Sequence, residues 1–165
     1  RGLSLFLMLG GYLTYLLVNW KVDGYAFSYT VYQKAHWGNV IEAPWKVIAG
    51  LWKNATSPEL YDLATRAALW WPQVILVVVI VAVFIYGIKK IPAYQMAYGV
   101  SYSILTYMPS WLLSAGRYTS CCIPLFIVIA VAAQKHKCLM PAVTACFLML
   151  QMVFLGGYFA GLQIM

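Results

Sequence analysis

Carboxylates are what this chain has least of. Charged residues make up 9% of its 165 positions, and its four acids, Asp23, Glu42, Glu59 and Asp62, all fall within residues 19–71. No carboxylate stands inside a long apolar run, so none of those runs carries a buried acid for proton transfer. Each acid is also accounted for as a helix cap, a first-turn acid or an ion-pair partner. A Gly-rich phosphate loop is missing, which removes one common nucleotide site. Cys121, Cys122, Cys138 and Cys146 show no metal-ligand spacing and lie in or beside apolar runs, where cysteine behaves as a small hydrophobe. No histidine sits beside a plausible Ser or Cys nucleophile. Neither a metal nor a cofactor is expected. Repeats and low-complexity tracts are absent too, so the chain reads as one membrane domain over residues 1–165.

What the chain has in abundance is apolar surface. At 64% hydrophobic residues it has too few polar groups to cover a soluble globule of its size. The expected fold is all-α, a polytopic transmembrane bundle. Five apolar runs, 3–18, 72–88, 91–108, 119–133 and 139–159, predict about five spans, since a span needs about 20 largely apolar residues. The chain opens on Arg1 and runs straight into apolar residues, which reads as a cut through a longer protein.

Basic residues punctuate the runs. Arg1, Lys89, Lys90, Lys135 and Lys137 fall on one face if all five runs cross, and they mark it as cytoplasmic. Residues 19–71, the loop around Arg117 and the C-terminus then fall on the opposite side. The +7 net charge is spread as this punctuation, without the clustered basic face that nucleic acid requires.

Residues 19–71 are too aromatic for a linker and predict three short interfacial helices. Asp23 caps the first, which ends at Gly38; Pro44 opens the second; Ser57 and Pro58 open the third, which runs to Trp71 with Asp62 and Arg66 spaced to pair. Tyr and Trp are at home at such an interface because the ring is apolar and the tip is wet. Asn54-Ala55-Thr56 matches the N-glycosylation acceptor pattern.

Two clusters carry chemistry. Pro109-Ser110-Trp111-Leu112-Leu113-Ser114-Ala115-Gly116-Arg117-Tyr118 holds one charge between two apolar segments. The Arg117 guanidinium suits a phosphate, to which it donates two parallel hydrogen bonds; it equally suits a lipid head group or a helix end. In Gln33-Lys34-Ala35-His36-Trp37-Gly38, Gln33 and Trp37 share a helix face and could bind a sugar or a head group, or could anchor a helix end at the interface.

These residues also carry a resemblance. The run Tyr12-Leu13-Thr14-Tyr15, then Asp23-Gly24-Tyr25-Ala26-Phe27 leading to Gln33 and His36-Trp37-Gly38, then Pro44-Trp45, is similar to the middle of the GPI mannosyltransferase II family (PIG-V) and its bacterial relatives. Ser114-Ala115-Gly116-Arg117-Tyr118 followed by Pro124-Leu125-Phe126 resembles that family's Arg-aromatic pair ahead of a Pro-Leu-Phe. Where relatives often have Met-Pro before the arginine, this chain has Ala115-Gly116. The resemblance implies a GT-C type glycosyltransferase that moves mannose from a polyprenyl- or dolichyl-phosphate donor to a lipid or glycolipid acceptor on the non-cytoplasmic side. The membrane would be a bacterial plasma membrane or the endoplasmic reticulum. Arg117 and Tyr118 would then contact the donor phosphate, and Gln33, His36 and Trp37 the sugar or acceptor. The family's catalytic acid lies in a first outer loop upstream of this stretch, so the fragment would be inactive alone. A transporter portion and a non-catalytic membrane subunit are the competing expectations.

Overall fold

The computed structural model describes residues 3–112 and 115–161, with side chains from Leu9 onward; Arg1 and residues 113–114 of the Arg117 stretch lie outside the described residues. The described chain is all-helical and divides into two compact units, with the boundary after Ile41.

The first unit holds α1 (Leu3–Asp23) and α2 (Ser28–Trp37). Asp23 does not open the second helix as its capping chemistry predicts. It closes the first, because Gly24 takes the left-handed conformation at φ +73° and donates its N–H to the Trp20 carbonyl. α2 ends where the sequence places it, at Gly38 with φ +60°, its N–H shared between the Gln33 and Lys34 carbonyls. The rings of Tyr15 and Tyr29, 6.1 Å apart, tie α1 to α2.

The second unit begins with α3 (Pro44–Thr56), opened by its proline as expected. Val47, Leu51 and Ala55 recur every four residues and are all buried. Ser57 closes α3; the next helix is capped by Asp62, whose carboxylate accepts from the Thr65 N–H at 3.4 Å. The helix it opens, α4 (Leu63–Gly87), does not stop at Trp71 but runs for 25 residues. Pro72 lies inside it. A proline there removes one backbone hydrogen bond and presses on the carbonyl four residues earlier. The turn ahead of it, Arg66–Trp70, is π-helical, with the Trp71 N–H reaching back to the Arg66 carbonyl. This wider turn gives the proline ring room without ending the helix.

Beyond α4 come α5 (Ala93–Thr106), α6 (Ala115–Thr119), α7 (Ile123–Lys135) and α8 (Leu139–Phe159). Packing between α4, α5 and α7 requires two glycines. A Cβ on Gly99 would lie 2.8 Å from the Phe84 ring and 3.0 Å from Pro124, and one on Gly87 would lie 2.7 Å from Val128. Bare backbone lets the helices close to contact at these crossings.

The expectation of five spans is not supported. Among the described residues, α4 and α8 are long and apolar enough to cross a membrane. The apolar runs 91–108 and 119–133 contain α5 and α7, of 14 and 13 residues. At 1.5 Å per residue these reach about 20 Å, short of the roughly 30 Å hydrocarbon layer. Pro92 stands at the N-cap of α5, and the turn through Ser120 and Cys121 separates Thr119 from α7. These breaks divide apolar sequence that composition alone treats as continuous.

Candidate functional site

Arg117 stands on α6, a helix of little more than one turn. Ala115 and Thr119, four residues apart, are buried against the core, so Arg117 and Tyr118 face outward and are both exposed. Three contacts fix the backbone beneath them. The Tyr102 hydroxyl of α5 donates to the Tyr118 carbonyl at 2.9 Å. The Ser120 hydroxyl donates to the Arg117 carbonyl at 2.6 Å, and the Cys121 thiol approaches the same oxygen at 3.9 Å. The carbonyls that end this helix are thereby satisfied locally. The result is a guanidinium and a phenol exposed at successive positions of a pinned turn, the one able to offer parallel N–H donors to an anion and the other a hydroxyl.

Gln33, His36 and Trp37 occupy the last turns of α2, in the first unit, and all three are exposed. His36 stacks on Tyr32, ring centroids 6.2 Å apart and nearly parallel. The Gln33 side-chain oxygen accepts from the Asn39 amide at 3.3 Å, and the Asn39 N–H reaches the Gln33 carbonyl. Part of Gln33's hydrogen-bonding capacity therefore serves the helix end. A shallow, open depression on this helix is lined by Thr30, Val31, Lys34 and Ala35 and includes none of the three. The structure thus joins Arg117 with Tyr118 on one short helix and Gln33, His36 and Trp37 on another, in separate units.

Sequence reasoning missed a second polar feature, on the inner face of α4. Gln73 is fully buried, and neither its side-chain oxygen nor its nitrogen has a hydrogen-bond partner. Trp70 Nε1 and Arg66 Nε are buried and unpartnered as well. Trp70 is packed between Tyr61 and Trp111, at ring distances of 5.2 and 6.4 Å. Buried polar atoms of this kind are uncommon because each forfeits its bonds to water. The signal was present in the sequence: Gln73 is the lone amide in the apolar run 72–88.

Near the start of α4, the hydrogen bond from Thr65 holds the exposed Asp62 carboxyl below its ordinary value. Asn54 lies in α3 and is half-buried.

Comparison of the chain with protein families, with curated proteins and with solved structures gives no match.

Proposed function

We propose that this chain is part of a membrane glycosyltransferase, mannosyltransferase-like, in which Arg117 and Tyr118 receive the phosphate of a polyprenyl- or dolichyl-phosphate sugar donor on the non-cytoplasmic side. The observation that carries this reading is the exposed guanidinium of Arg117 beside Tyr118, on a turn whose other face is locked into the core. The motif resemblance around both residues supports it, and two helices able to cross a membrane supply the setting a lipid-linked donor requires. Gln33, His36 and Trp37 are the residues proposed for the sugar or acceptor. Gln33 keeps its side-chain N–H donors for that purpose while its oxygen holds Asn39.

The test is Arg117→Lys in the complete parent protein. Lysine keeps the charge and loses the planar fork. Loss of a charge-assisted hydrogen bond predicts transfer from the lipid-phosphate sugar falling on the order of tenfold to a hundredfold. The amount of protein in the membrane should stay the same. Wild-type transfer with lysine in place removes the phosphate-contact role.

A further inference from the structure

The two glycine crossings fix how the helices of the second unit run. On α4, Phe84 meets the Gly99 and Pro124 crossing, and Gly87, one turn later, meets Met96 and Val128. Moving up the α4 sequence therefore means moving up the α7 sequence and down that of α5. α4 and α7 are parallel, and their C-terminal ends lie at the same end of the unit. Lys89 and Lys90 follow α4 directly; Lys135 ends α7, and His136 and Lys137 follow it. All five are exposed.

No acidic side chain of this unit opposes them. The acids of this unit are Glu42, Glu59 and Asp62. They sit at the other end, where Asp62 caps the start of α4 and the Glu42 N–H donates to the Met108 carbonyl just beyond α5. From residue 63 onward the sequence contains no Asp or Glu at all. The lysine end is also collared by apolar surface: Ile85, Ile88 and Met140 are each at least half exposed. Lys89 is the single described non-glycine residue in the left-handed conformation, at φ +63°, on the turn that presents both lysines. Lys90 folds its Nζ over the Tyr86 ring, 3.0 Å from the centroid. An ammonium resting on an aromatic ring beside an apolar collar is the arrangement of a side chain that keeps its stem in hydrocarbon and its charge at the head groups.

We infer that this end of the second unit is a docking surface for anionic phospholipid head groups of one membrane leaflet. The inference rests on α4 and α8 crossing a membrane. Four compact ammonium charges with nothing acidic between them attract phosphodiesters. An acidic soluble partner would leave the collar of Ile85, Ile88 and Met140 against water, whereas a leaflet covers both collar and charge. Each lysine close to an anionic surface strengthens binding by about fivefold, and the effect fades beyond a Debye length.

The experiment uses the purified full chain in nanodiscs of phosphatidylcholine, with and without phosphatidylglycerol, and reads the melting temperature. Phosphatidylglycerol should raise it, and the rise should shrink as salt is added. Replacing Lys89, Lys90, Lys135 and Lys137 together by Gln should abolish the rise, and replacing them by Arg should keep it. Lys46→Gln with Lys53→Gln, on exposed α3 positions at the mixed-charge end, should also keep it. The inference is overturned if the four-Gln variant keeps the rise, if the α3 variant loses it equally, or if inorganic phosphate in phosphatidylcholine discs reproduces it. A chain that stays in water without detergent would instead defeat the membrane-crossing premise, an outcome visible before any lipid is varied.

Discussion

α4 and α8 pass the same test of length and apolarity, yet the chain treats them in opposite ways. Of the most apolar stretch of α4, 28% is buried; of that of α8, none is. α4 is held by α3 on its first turns and by α5 and α7 on its last, whereas α8 touches the rest of the unit chiefly where it leaves α7. Apolarity, then, specifies a helix and its avoidance of water without specifying what replaces the water. For α4 the replacement is in part protein. For α8 it must come from outside this chain's own fold, since Phe147, Met152, Val153 and Phe159 are all more than half exposed.

The contrast is most open to attack at the glycines. Gly99→Leu forces a side chain into the Phe84 ring and should cost about 3 kcal/mol, the upper range for overpacking. Gly156→Leu on α8 meets nothing within 4 Å and should change stability by less than about 0.5 kcal/mol. Thermal unfolding in detergent checks both, and equal effects would show α8 to be packed.

Gln73→Leu probes the packed helix from the other side. Replacing a fully buried amide that has no partner by an apolar group of similar volume should stabilise the protein by about 1 kcal/mol, seen as a higher melting temperature. A lower melting temperature would mean that the amide is satisfied in the folded protein.

The smallest effect concerns the start of α4. The Asp62 carboxyl is held below its ordinary value of 3.8, so its contribution is present above that value and is lost as pH falls through the folded-state value. Asp62→Asn keeps an oxygen for the Thr65 N–H and removes the titration. Melting temperatures of the two proteins, compared from roughly pH 3 to pH 7, should converge at the acid end. A constant difference across the range would assign the cap no charge-dependent part.

How much of this was legible in the sequence depends on which signal was local. The limits of α8, the proline start of α3 and the Gly38 cap follow from patterns a few residues long, and the structure has them where those patterns put them. The count of five spans goes unsupported because hydropathy is blind to turns: residues 119–122 add apolar character to a run whose helix begins only at Ile123. Capping failed twice where two candidates competed. Gly24 prevailed over Asp23 by ending a helix, and Asp62 displaced Ser57 because α3 was still in progress at Thr56. At the candidate site, the outward pairing of Arg117 with Tyr118 follows from α6 being helical with Ala115 and Thr119 turned inward. The polar face of α4 did not emerge, because it depends on which side of that helix the rest of the unit covers.

The π turn at Arg66–Trp70 makes chain length itself a coordinate of this fold. A helix advances 100° per residue, so one residue more or fewer sets the angular phase between everything before the turn and everything after it. Substituting Ala67 or Ala68 leaves that phase alone. Deleting either one, so that the turn reverts to ordinary α-helix, would remove the extra residue that the wide turn absorbs and leave Asp62 and the docking of α3 near their present phase relative to Ile80, Phe84 and Gly87. The damaging deletion is one between Trp71 and Ile80, where no wide turn absorbs the lost residue and the phase shifts by about 100°.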